Sequence, residues 1–166
     1  MILRDASEAD LPAIVEIYNA TIPGRMVTAD IEPVSVESRR PWLLEHNPRT
    51  RPIWAVDDPA SGRVCAWLSL SSFHSRPAYH PTAEVGLYVA EAHRGHGIGK
   101  FLLGEAIDRA PACGVRTLLG LIWAHNEPSL QLFENFGFVR WGHLPRVAEL
   151  DAVERDLVIV GRRVAP

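Results

Sequence analysis

The stretch Arg94-Gly95-His96-Gly97-Ile98-Gly99-Lys100 constrains this chain more than any other, because its glycines stand between an apolar strand pattern and an amphipathic helix pattern. Glycine reaches positive φ and lets the backbone or a ligand come close. Several N–H groups at the start of the following helix then converge on one point, an arrangement suited to a pyrophosphate. Lys100, the only lysine in the chain, and Arg94 add positive charge beside it. Spacing excludes two familiar phosphate loops. A P-loop with its lysine at Lys100 needs glycine at 94 and a hydroxyl residue at 101, where Arg94 and Phe101 stand. A dinucleotide fingerprint starting at Gly95 needs glycine at position 100, which is Lys100. Taken alone, the turn could also serve only close packing of strand on helix.

The elements around the turn predict a mixed α/β domain. Ser7-Glu8-Ala9-Asp10 reads as a capping box with Asp in place of the usual Glu or Gln. Leu11, Ile14, Val15 and Tyr18 follow at helical spacing. Residues 21–33 read as a loop, and a second helix starts at Ser35, with Pro41 expected to kink or end it. Strands are expected near 52–57 and 63–72, joined by a turn through 57–62. In Ala83-Glu84-Val85-Gly86-Leu87-Tyr88-Val89, alternation puts Val85, Leu87 and Val89 on one face and Glu84, Gly86 and Tyr88 on the other. The helix after the glycine turn carries Ile98, Leu102, Leu103, Ala106, Ile107 and Ala110. Thr117 to Trp123 is an apolar strand. Asn126 caps a short helix expected to bury Ser129, Leu132, Phe133 and Phe136, with Gly137 ending it. Two strands near 138–147 and 154–163 complete the pattern. With no repeat, low-complexity tract or long linker, residues 1–166 are expected to form one domain.

Bulk properties narrow the function classes. A net charge of -3 and a pI near 6.1 argue against a broad nucleic-acid face. The apolar runs are too short to span a membrane. Met1-Ile2-Leu3-Arg4-Asp5 lacks the basic-then-apolar layout of a signal peptide. Cys65 and Cys113 fit reduced thiols better than a disulfide framework, which makes the cytoplasm the expected compartment. His93 and His96 lie three apart but have no neighbouring cysteine or acid to complete a ligand set, so no metal is expected.

The motifs do not stand singly. Arg94-x-x-Gly97-x-Gly99 after a strand is followed by Asn126-x-x-Ser129-x-x-Leu132-Phe133 and Gly137-Phe138. Together these resemble the GNAT N-acetyltransferase superfamily. The stretch Arg76-Pro77-Ala78-Tyr79-His80-Pro81-Thr82-Ala83-Glu84, with Leu87-Tyr88-Val89 after it, is similar to the phosphinothricin and methionine sulfone acetyltransferase branch. The resemblance implies the GNAT acyl-CoA N-acyltransferase fold, a mixed and mostly antiparallel sheet flanked by helices. It implies acetyl-CoA as co-substrate, a small-molecule amine as acceptor and a homodimer. The backbone of Leu87, Tyr88 and Val89 would pair with the pantetheine arm as an added strand. Gly95, His96, Gly97, Ile98, Gly99 and Lys100, with Arg94, would hold the pyrophosphate, and Asn126 would reach the cofactor. Leu87 and Val89 also read as plain core residues, and Asn126 as a plain cap.

Acyl transfer from a thioester needs a neutral amine, an oxyanion stabiliser and a departing thiol. At pH 7 an α-amino group costs about 1.4 kcal/mol to deprotonate and a lysine-like amine about 4.6. A modest general base suffices for the first. The resemblance gives that role to Glu84, which periodicity alone would leave facing solvent. The backbone N–H near Val89 would donate to the thioester carbonyl. Arg76 would grip an anionic group of the substrate, with Tyr79 lining the same pocket, although an arginine in a loop is often only solvated. Three positions depart from the family pattern. Phe133 replaces a tyrosine that protonates the leaving sulfur, Arg155 replaces a histidine, and Ala29 stands where relatives place an aromatic cover. Two other functions share these motifs: a CoA-binding domain without turnover, and an acetyltransferase for protein N-termini or lysines. An exposed apolar strand edge at Leu157-Val158-Ile159-Val160 would supply the dimer contact.

Overall fold

A computed structural model describes residues 1–166. Seven strands form one sheet in the order β1-β2-β3-β4-β5-β7-β6. They are β1 (Ile2–Asp5), β2 (Ile53–Asp57), β3 (Val64–Ser72), β4 (Thr82–Val89), β5 (Thr117–Trp123), β6 (Val139–Leu150) and β7 (Val153–Arg163). Every pairing is antiparallel except β4 with β5. A parallel pair needs a crossover, and α3 (Ile98–Arg109) supplies it. The other helices are α1 (Leu11–Asn19), α2 (Val36–Glu45) and α4 (Glu127–Asn135).

Period-two alternation decides which helices cover which face. On β3, Ala66, Leu68 and Leu70 turn toward α3 and join Leu102, Leu103, Ala106, Val85 and Leu118 in the main core. Trp67 turns the other way and meets Ile14 and Ile17 of α1 in a smaller cluster. Ser69 and Ser71 share the face of Trp67 by alternation. Phe133 of α4 seals the far end, its ring edge-on to Phe138 at 4.9 Å.

Several expectations are corrected. The chain forms β1 before the first helix, on a segment with little apolar alternation; Arg4 fixes it by ion pairs to Asp10 at 2.8 Å and Asp57 at 2.7 Å. Pro41 does not end α2, which continues to Glu45. Its missing N–H frees only the carbonyl of Glu37, and on an exposed helix water can take that place. In α4 the deeply buried residues are Leu130 and Phe133, whereas Ser129, Leu132 and Phe136 are half-buried. The helix after the glycine turn gives way to a short 3-10 turn at Ala110–Cys113, before β5. Leu157–Val160 is no edge, because β7 lies between β5 and β6 and is paired on both sides. The edge at this end of the sheet is β6, which carries Val139 and Trp141 into solvent.

Candidate active site

The site begins with a fault in the sheet. β4 and β5 pair over only Thr82–Glu84 and Thr117–Leu119, then diverge. Beyond Glu84 the backbone of β4 has a partner on one side only. The N–H of Ala90 donates to Cys65 O at 2.9 Å. Alternation along an antiparallel pair therefore aims the N–H groups of Val85, Leu87 and Val89 away from β3 and into the gap. A cavity of about 300 Å³ fills this wedge, with Glu84, Leu87, Tyr88, Trp123, Asn126 and Phe133 among its walls.

The wedge opens at one end onto the glycine turn. Gly95 and Gly97 have φ of +79° and +81°, so both sit in the left-handed region that a β-branched side chain resists. Gly97 caps α3, whose first N–H groups lack intrahelical acceptors. A second cavity, of about 290 Å³, is lined by Leu87, Tyr88, Val89, Arg94, Gly95, Gly97, Ile98 and Gly99. It shares Val27, Leu87, Tyr88, Ser129 and Leu132 with the wedge, so the two adjoin. Arg94 is tethered to the rim by a 3.3 Å bond from Nε to Val89 O. His96 and Lys100 are exposed on the same turn but line neither cavity. Asn126 is the expected helix cap and also lines the wedge. Its Oδ1 accepts from Ser129 N at 3.2 Å and its Nδ2 donates to Met26 O at 2.7 Å, so it caps α4 and ties down the 21–33 loop.

At its other end the wedge meets a pocket of about 160 Å³ whose floor is a ladder of side chains. Register pairs Trp67 with Tyr88, Ser69 with Gly86 and Ser71 with Glu84. The first rung is aromatic, with the Trp67 and Tyr88 rings stacked at 4.3 Å. The second must be small, since a Cβ on Gly86 would lie 2.9 Å from Ser69 Oγ. The third is polar. Glu84 lines both this pocket and the wedge, and burial alone pushes its carboxyl above the usual range. Tyr18, Arg39 and Trp42 close the pocket from α1 and α2. Arg39 lies 4.7 Å over the Tyr18 ring and donates to Asp30 at 2.9 Å, with the rest of its guanidinium uncommitted. The Tyr18 hydroxyl bonds Asp30 and Thr28; burial, then Asp30, pushes it up.

Glu84, the β4 backbone and the glycine turn thus lie along one trench. Arg76 and Tyr79 do not join it. Arg76 precedes and Tyr79 ends a short 3-10 turn between β3 and β4, past the last rung, where Tyr79 is 44% exposed and rests on Phe73 and His74. Sequence reasoning missed Arg39, Trp42, Trp67 and Ser71. Register would have revealed Trp67 and Ser71, since they lie opposite Tyr88 and Glu84. Ala29 lines the wedge beside Val27 and Thr28, so no aromatic side chain of the loop covers it. Phe133 lines the wedge as well, against Gly120, where a Cβ would lie 2.8 Å from its ring.

A family model described as the acetyltransferase (GNAT) family matches residues 11–138. A Bacillus subtilis protein, YwnH, provisionally named a phosphinothricin acetyltransferase, is 49% identical over 99% of this chain and 100% of its own. An L-methionine sulfoximine/L-methionine sulfone acetyltransferase of Pseudomonas aeruginosa is 31% identical over 99% of this chain and 95% of its own. The crystal structure of a GNAT superfamily phosphinothricin acetyltransferase from Sinorhizobium meliloti, in complex with acetyl-CoA, superposes with a TM-score of 0.92. It shares 28% identity over 99% of this chain and 88% of that one.

Proposed function

From the premise that the chain belongs to the acetyltransferase (GNAT) family, we propose that it moves an acetyl group from acetyl-CoA to the amine of a small amino acid or analogue, of the phosphinothricin or methionine sulfoximine/sulfone kind. The observation that carries this reading is the row of adjoining cavities, which runs from a phosphate-suited turn along an unpaired strand edge to a small pocket holding one half-buried carboxylate.

The residues fit a CoA ester. Arg94 and the Gly95–Lys100 backbone offer N–H groups and charge to the pyrophosphate, and the free N–H of Leu87 offers a β-type bond to pantetheine. The bound donor supplies an activated thioester carbonyl. Glu84, in the pocket next to that point, takes a proton from the attacking amine. The nitrogen lone pair bonds the carbonyl carbon, the carbon–sulfur bond breaks, and the sulfur leaves as thiolate before taking up a proton. Val89 N–H, which points into the gap, would donate to the developing oxyanion. A thiol pKa near 8.5 makes thiolate a tolerable leaving group, so Phe133 in place of a tyrosine does not prevent turnover. Tyr88 is held by stacking on Trp67, and burial pushes its hydroxyl up.

Arg39 is the cationic wall of the pocket and takes over the anion-binding role first given to Arg76. A carboxylate on its free edge and an amine at Glu84 describe an α-amino acid, with Trp42 and Trp67 left for the side chain. The pocket's size favours a free small molecule over a peptide. A homodimer fits the exposed Val139 and Trp141 on β6. A cytoplasmic setting fits the two unpaired cysteines. The deciding experiment is release of free CoA with a panel of L-methionine sulfone, L-methionine sulfoximine, phosphinothricin, proteinogenic amino acids and polyamines. Turnover confined to polyamines would overturn the substrate assignment.

A further inference from the structure

We propose that Ser71 is a second acceptor for the substrate amine beside Glu84, and that His46 is the positioning residue that makes Ser71 an acceptor. This rests on the reading of the pocket as the amine site. Ser71 and Glu84 are register partners on adjacent strands, and both line the pocket. Side chains directly opposite on such a pair lie about 5 Å apart, close enough for one nitrogen to reach both.

The direction of the Ser71 proton follows from three contacts. His46, at the C-terminal cap of α2, places Nδ1 2.8 Å from the carbonyl oxygen of Trp42 and Nε2 3.2 Å from Ser71 Oγ. A carbonyl only accepts, so Nδ1 carries a proton. Burial favours the neutral ring, helped by Arg51 and opposed by the Trp42 carbonyl and Glu45. In the neutral ring Nε2 is therefore a bare lone pair, and the Ser71 hydroxyl donates to it. With its one proton committed to His46, Ser71 Oγ offers the pocket only lone pairs. An amine held by Glu84 and Ser71 together has two of its N–H groups fixed, which directs its lone pair.

Protonating His46 reverses the arrangement. Nε2–H would then donate to Ser71, whose own proton would turn into the pocket against an ammonium. Glu84 lies beyond Ser71, and Glu8 lies across the outer groove that His46 also lines. These acids and Glu45 oppose Arg51 in setting where the reversal occurs.

Long-range ¹⁵N–¹H spectra of the free protein test the tautomer directly, with His46 assigned through H46Q. The Nδ1–H form is expected, and an Nε2–H form overturns the inference. Steady-state kinetics with L-methionine sulfone at saturating acetyl-CoA test the consequence. Ser71→Ala should raise the amine KM about tenfold with kcat held within about twofold. His46→Phe should do the same. His46→Gln, with an amide oxygen in place of Nε2, should recover most of that loss and remove the extra rise in KM on the acid side. An unchanged KM in Ser71→Ala, or His46→Gln as damaging as His46→Phe, overturns the proposal, and Ser71→Ala reads the same contact should His46→Phe fold poorly. Glu84→Gln separates the two levels. Unchanged turnover there removes the reading of the pocket, whereas lost turnover with normal KM in Ser71→Ala removes only the second acceptor.

Discussion

Replacing Glu84 by Gln should slow the enzyme and stabilise it at once. The carboxylate is half-buried in the pocket, and burial is the only influence raising its pKa. In the proposed role of base it is improved by that environment, because its proton affinity moves toward the working pH. Removing a positioned general base typically costs 10²–10⁴ in rate, equivalent to about 2.7–5.4 kcal/mol of barrier. For stability the sign reverses. An acid whose folded pKa lies above its unfolded value of about 4.3 stabilises fully only below that value, and the benefit is lost as pH rises through the folded pKa. At neutral pH the native protein therefore carries an unpaired, partly desolvated charge that Gln lacks. The variant should melt higher than wild type at neutral pH, and the two should converge below about pH 4. Thiol release assayed with a chromogenic disulfide, beside thermal melts across the same pH series, reads both effects. An unchanged rate, or a variant less stable at neutral pH, would refute the reasoning.

Gly97→Val should weaken acetyl-CoA binding, read by calorimetry, more than Lys100→Ala does. A Cβ at 97 meets nothing within 4 Å, so without ligand the cost is only backbone strain of about 1–2 kcal/mol. Lys100→Ala proving the more damaging would discard the backbone cradle. Asp10→Asn should cost about 1–2 kcal/mol in urea unfolding at neutral pH. Arg4 and then Ser7 hold the Asp10 carboxyl down to about 2, so wild type should lose this advantage as pH falls from about 4 toward 2. Gly120→Ala should cost about 1–3 kcal/mol by overpacking, since the new Cβ would lie 2.8 Å from the Phe133 ring and 3.0 Å from Val160. Light scattering should report a dimer that Trp141→Lys weakens; a monomeric wild type at micromolar concentration would end that proposal.

What was legible in the sequence was local. The two faces of β4, the cap at Asn126 and the left-handed Gly97 follow from period, spacing and backbone chemistry, and the structure has them. What depended on register or on distant pairing was not legible. Arg39 lies on a helix with no buried residue, so no apolar stripe pointed to its inner face. Ser71 gains its meaning only from lying opposite Glu84. Arg76 and Tyr79 are near Glu84 along the chain, yet the turn at Pro77–Tyr79 aims them elsewhere. Leu157–Val160 is apolar because β7 is covered by two neighbours, which one strand's composition cannot distinguish from an adhesive edge.

The divergence of β4 from β5 also bears on solubility. An unpaired strand flank with free amides is what recruits foreign chains into aggregates, and it usually lies at a sheet's rim behind charges or prolines. Here the flank is interior. Residues 27–29, Asn126 and α4 wall it in, leaving a slot for a thin, unbranched arm. On the proposed reading, the amides that receive the ligand are open yet lie away from the sheet's rim.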